Sequence, residues 1–201
     1  MGATAAAVEA NERLDRGHVR GWVLRAHLLW LGEYGIDGDF AAVWQEAGEE
    51  IATALRTGFD PDGWYPLAWV VTVDRAIARR FTVDVSERAI LEDIGRFSAR
   101  LNLSIRFARL PNDGHHRFFE EATRVHGELQ DFGVARYERV RAREGRIVLA
   151  GGEAYSPAYC ATLYGCYEQC LYLHGAIRAR IDEVTCRCLG DEACTFAMQW
   201  R

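Results

Sequence analysis

Residues 179–200 read ARIDEVTCRCLGDEACTFAMQW. Two alternating stretches, Ala179–Cys186 and Cys194–Trp200, flank the polar break Leu189-Gly190-Asp191-Glu192. That pattern predicts a β-hairpin. Cys194, Phe196, Met198 and Trp200 recur at every second position, so they share one face and should pack on a core. Upstream, Val134–Arg143 and Arg146–Ala150 make a second hairpin signal around Glu144-Gly145. Between the hairpins, Ser156-Pro157 supplies a cap and a proline for the first helical turn. The helix it opens is predicted to run to His174 and end at Gly175.

Before residue 134 the periodicity is helical. Val19–Tyr34 and Phe40–Leu55 predict two helices. A third opens at Trp64-Tyr65-Pro66, with an apolar stripe of Leu67, Val70, Val71, Ile77 and Phe81. Asp84-Val-Ser-Glu87 has capping-box spacing, and Ile90, Ile94, Phe97 and Leu101 share a face of the helix after it. His115–Asp131 predicts one more. Helices followed by hairpin, helix and hairpin imply an α+β fold, with N-terminal helices packed on a small antiparallel sheet. Residues 1–16 read as an alanine-rich flexible lead-in. Residues 17–201 read as one domain, helical over 17–133 and sheet-containing over 134–201.

The composition supports a packed core, at 49% hydrophobic and 26% charged residues. A net charge of −5 gives no basic footprint for nucleic acid. No apolar run reaches the roughly 18 residues of a membrane span; Trp22–Leu31 is interrupted by Arg25 and His27. Met1–Ala10 has no signal-peptide pattern, so a cytoplasmic location is expected.

The cysteines fall at 160, 166, 170, 186, 188 and 194. Clustering of this kind in a reducing compartment reads as metal chemistry or as buried thiols. Cys186 and Cys194 flank the hairpin turn, Glu183 precedes Cys186 by three residues, and Cys160 lies in the first turn of the preceding helix. Three thiolates and a carboxylate complete a tetrahedral shell for a structural zinc ion. On a regular strand Glu183 and Cys186 would face opposite ways, so a bulge near Val184 is required. Cys188 shares the face of Cys186 and offers a substitute ligand.

Cys160, Glu183, Cys186 and Cys194, at this spacing and with the closing CRCLGDEACTFAMQW, resemble the 4-vinyl reductase domain of phenol-sensing bacterial activators. That resemblance covers roughly 134–201 and implies a zinc-clipped, small-molecule-binding fold. GWYP, GRFSARLNL and the closing segment together resemble a myxobacterial paralogous family, over most of the chain. The same fold group is taken to include TRAPP tethering subunits and haem nitric-oxide-binding domains.

Tyr164, Tyr167 and Leu171 share a helix face with Cys160. With Trp69, Phe97 and Phe107 they are candidates to line a pocket for a small apolar or aromatic ligand; ordinary core packing is the alternative. Haem is the rival cofactor. Gly95-Arg96 precedes His126 in RVHGEL, a placement similar to the haem-ligand segment of the nitric-oxide-binding domains. Their Tyr-x-Ser-x-Arg motif has no counterpart, since the chain reads Tyr155-Ser156-Pro157, so zinc is expected and haem is not. Enzyme signatures such as a nucleophile elbow, phosphate loop or dinucleotide fingerprint do not occur. The expected function is a non-catalytic ligand-sensing or signalling adaptor. The alternatives are an interaction subunit without ligand and a haem gas sensor using His126. Trp22, Trp30 and Trp44 mark candidate surfaces for a homodimer or protein partner, with burial in the core as the equal alternative.

Overall fold

The computed structural model describes residues 13, 14, 16–82, 84–105 and 108–201. Most of the expected lead-in and Phe107 lie outside these residues. The fold is α+β: among the described residues, seven α-helices and two small antiparallel sheets.

The chain enters through β1 (His18–Arg20), which pairs with β2 (Trp64–Pro66). Between them lie α1 (Gly21–Tyr34), α2 (Asp39–Ala47) and α3 (Glu49–Thr57). The single helix expected over Phe40–Leu55 is therefore two. Gly48 breaks it with φ 90°, a left-handed value that glycine adopts without a Cβ clash. Pro66 closes β2 and caps α4 (Leu67–Phe81) instead of entering its first turn. In α5 (Glu87–Ile105) the cap is Ser86, whose Oγ accepts the Ala89 N–H at 3.2 Å, and not Asp84.

The expected helix His115–Asp131 is shorter. α6 (His115–Arg124) gives way to a 3-10 turn over His126–Glu128. Then come β3 (Val134–Arg141), β4 (Glu144–Ala150), α7 (Pro157–Leu173), β5 (Ala179–Thr185) and β6 (Ala193–Trp200). The four strands are ordered β3-β4-β6-β5, all antiparallel. β6 is central, and Cys194, Phe196, Met198 and Trp200 are buried on its inner face, as the alternation requires. Ser156 caps α7 by accepting the Ala158 N–H at 3.2 Å.

Two apolar clusters make the core. One joins α1, α4 and α5 to the start of α7; the other joins α6, α7 and the sheet. α5 and α7 run against each other between them. The face α5 turns inward is Leu91, Ile94, Gly95 and Ala99, one step off the expected stripe. A Cβ built on Gly95 would lie 1.9 Å from the Thr162 carbonyl oxygen, and one on Gly165 would lie 1.8 Å from that of Glu92. The two helices thus meet backbone to backbone. Trp22 and Trp30 are core residues, 8% and 3% exposed, and Trp44 packs partly against the same core. For Trp22 and Trp30 the core alternative is therefore the one found, because α1 has apolar neighbours along its length. Among the described residues, no helix is long and apolar enough to cross a membrane.

Candidate functional site

The helical front and the sheet do not close on each other completely. A cavity of about 120 Å³ remains, walled by α1, α5, α6, α7 and the 3-10 turn. Phe118, Phe119, Leu103, Ile147 and Tyr167 make it predominantly apolar. Among the described residues, its wall carries no lysine or arginine. Most of its polar groups are engaged within the wall. Tyr159 donates to Gln130 Oε1 at 2.9 Å, Gln130 donates to the Phe132 carbonyl, and Thr162 donates to the Tyr159 carbonyl. Burial pushes the Tyr159 phenol far above its ordinary range.

Two imidazoles reach this cavity, His27 and His126. His126 sits in the 3-10 turn, where the end of α6 aims its ring inward. Burial lowers its pKa against an opposing hydrogen bond to the Phe132 backbone. His27 comes from α1 and is 2% exposed; its Nδ1 lies 2.7 Å from Oδ1 of Asp74 on α4, which is fully buried. Sequence reading missed this pair. The signal was there, since Asp74 continues the apolar series Leu67, Val70, Val71 at helical spacing and His27 interrupts an apolar run. A smaller adjoining cavity shares His126, Gln130, Tyr159 and Leu163, and adds Tyr155, Ser156 and Arg187. Arg187 donates to the carbonyls of Gly151 and Gly152 at 2.6 and 2.8 Å and lies over the Tyr155 ring.

A second constellation lies at the start of α7. Ligand-capable sulfurs of Cys160, Cys186 and Cys194 lie within 4.8 Å of one another, all buried. No cysteine is in a disulfide. Hydrogen bonds from Cys160, Cys188 and Cys194 lower the Cys186 pKa strongly and favour its thiolate. The same bond, with burial, raises Cys160. The register of β5 on β6 shifts between Glu183 and Thr185, which is the bulge that the odd spacing demanded. The bulge brings Glu183 back beside Cys186. One carboxylate oxygen accepts from Arg88 at 3.3 Å, and the other is buried with no hydrogen-bond partner. Burial, then the neighbouring Cys186, raises the Glu183 pKa to about 7.

Of the aromatic candidates, Tyr167 lines the cavity. Tyr164 does not; its hydroxyl donates to the Ile181 carbonyl at 3.0 Å, in a surface cleft with Arg88 and Glu183. Trp69 packs beside Tyr65, and Phe97 beside Tyr34, both away from the cavity wall.

No family model matches the chain, and no curated protein does. Solved structures do share its fold, H-NOX domains among them. A Fe(II) unliganded H-NOX protein from K. algicida superposes with a TM-score of 0.64 at 9% identity, over 90% of this chain and 96% of that one. An H-NOX protein from S. oneidensis in the Fe(II)NO state gives 0.62 at 14%, over 90% and 99%. A structure described as probing haem distortion in the H-NOX family gives 0.66 at 11%, over 90% and 95%. At these identities the likeness is one of fold. It corrects the cofactor expectation of structural zinc with haem set aside. Two of these neighbours are described with Fe(II) and one with haem, and none of the three with zinc.

Proposed function

We propose that the chain is a cytoplasmic sensor of a small gaseous ligand, with His126 as the residue that would hold haem iron. The observation that carries this is the His126 imidazole on the wall of a buried apolar cavity, in a fold shared with H-NOX domains. The donor chemistry fits. An imidazole oriented by a backbone carbonyl is a common iron ligand, and the aromatic wall excludes water from it. Arg187, beside Tyr155 and Ser156 on the adjoining cavity, would offer a cation to the carboxylates that haem carries. At about 120 Å³ the cavity is smaller than a macrocycle, so the imidazole suits haem iron while the closed volume does not hold the ring. Haem, if bound, would supply the iron to which a gas attaches; His126 would offer it a nitrogen, and the apolar wall a dry surround. Titration of the purified chain with haem is expected to give a Soret band that His126→Gly abolishes. A wild-type chain that takes up no haem would overturn the reading.

The volume itself favours a second reading. A cavity near 150 Å³ lined by apolar side chains holds a benzene-sized molecule directly. Benzene would then raise the melting temperature of the apoprotein, and a null shift would exclude it.

We further propose that Cys160, Cys186 and Cys194, with Glu183, bind a soft metal ion that ties α7 to the β5–β6 turn. Support comes from the sulfur cluster and from the partnerless Glu183 oxygen. The resemblance to 4-vinyl reductase domains rests on the same four residues. Cobalt(II) added to the apoprotein is expected to produce thiolate charge-transfer absorption, lost in Cys186→Ser. The reading fails if the spectrum stays that of aqueous cobalt. On this view 17–201 is one domain, with a helical part to 133 and a metal-clipped part from 134.

A further inference from the structure

We propose that the end of the sheet opposite the cysteine cluster docks on an anionic lipid bilayer, with five arginines meeting the headgroups and Ile177 entering the interface. This face is independent of the haem and metal sites above.

The chain concentrates positive charge here. Arg141 and Arg143 lie at the β3–β4 turn, Arg178 and Arg180 at the start of β5, and Arg201 just after β6. Pairing fixes them side by side. The Trp200 N–H donates to the Arg143 carbonyl at 3.2 Å, and the Arg201 N–H donates to the Arg178 carbonyl at 2.9 Å. The five side chains line one open cleft, to which Glu144 alone among the described residues adds a carboxylate. Arg180 pairs with Asp182 at 2.8 Å, and Arg141 lies 3.7 Å from Glu144. Among the described residues, Arg143, Arg178 and Arg201 have no carboxylate within ion-pair reach, and all three are exposed. In a chain of net charge −5 this field is local, so it orients the molecule on a negative surface.

A positive cleft alone would suit any polyanion. The neighbouring loop narrows the choice. Gly175, at φ 95°, turns the chain out of α7. Ala176 then points inward and is 7% exposed, whereas Ile177 is 83% exposed. Its backbone is pinned, since the Ile177 N–H donates to the Arg201 carbonyl at 2.7 Å. The isoleucine is thus held outward between Arg178 and Arg201. Leu173, exposed at the end of α7, precedes the same turn. Soluble phosphates and nucleic-acid backbones offer partners to guanidinium groups but none to a protruding aliphatic side chain. A bilayer offers both, with anionic headgroups at its surface and acyl chains just beneath. One weak signal gives marginal attachment, and two together give a stable one. Among the described residues no helix is long and apolar enough to cross a membrane, so the association is peripheral.

Each arginine close to an anionic leaflet contributes roughly a fivefold factor in binding, so the three unpaired ones together contribute about a hundredfold. The test is co-sedimentation of the full chain with vesicles, one set of phosphatidylcholine alone and one with a third of its lipid replaced by phosphatidylserine. Binding is expected to the second set only, and is expected to be lost in about 1 M salt, where charges are screened beyond about 3 Å. Arg143→Gln, Arg178→Gln and Arg201→Gln together are expected to weaken it about a hundredfold. Ile177→Ser keeps the charge and is expected to weaken it roughly tenfold. All four side chains are exposed, so the variants are expected to melt with the wild type. A wild-type chain that leaves the phosphatidylserine vesicles unbound overturns the proposal. So does an Ile177→Ser chain that binds them as tightly as wild type; equal retention of inositol hexaphosphate by both chains would then mark the cleft as a site for a soluble polyanion.

Discussion

Gly165→Ala is expected to lower the stability of the chain by about 3 kcal/mol, and Gly95→Ala by a similar amount. Helix propensity alone predicts the opposite sign, since alanine in a helix interior is favoured over glycine by about 1 kcal/mol. Packing decides the outcome. The new methyl would overlap a carbonyl oxygen of the facing helix, at 1.8 Å for Gly165 and 1.9 Å for Gly95. Backbone cannot swing aside as a side chain can, so α5 and α7 must separate. Both helices wall the cavity, through Ser98, Ala99 and Asn102 on one and Thr162, Leu163 and Cys166 on the other. Separation therefore disturbs the candidate site as well as the fold. Urea denaturation at unchanged m-value measures the loss. A midpoint at or above wild type would refute the tight crossing.

The second large effect is non-additive. His27→Leu is expected to cost roughly 3–5 kcal/mol, because it strands the Asp74 carboxylate in the core. Asp74→Leu strands the imidazole and should cost several kcal/mol on the same grounds. The double replacement should restore most of the loss, since an apolar pair of similar size leaves nothing unsatisfied. A double-mutant cycle in apoprotein isolates the coupling. If the two costs simply add, the residues do not act as a pair.

The fold was largely legible, and the site was legible in pieces. The hairpins and α7 were visible because their signals are local: alternation, a turn with glycine, a serine–proline start. The bulge at Val184 could be inferred because chemistry demanded it of an odd spacing. The break at Gly48 was missed because a helical stripe continues on both sides of it. The inward face of α5 was misjudged because glycine and alanine carry no hydrophobic weight, although they set how closely helices approach. His27 and Asp74 lie 47 positions apart, and nothing local says that α1 and α4 bring them together. Phe97 was misplaced with the α5 face that carries it, and Tyr164 because what lies opposite its turn of α7 was not in the local sequence.

The sheet ends differently at its two margins. β3 is exposed along most of its length, with Arg136, Glu138, Arg139 and Arg141 facing solvent. β5 is interrupted by its irregularity next to Glu183. A flat strand with open backbone groups is a template on which other chains can zip up, and proteins blunt such margins with charge or with a kink. Here one margin has the charge and the other the kink. Lateral growth of the sheet into fibrils is thereby discouraged at both margins.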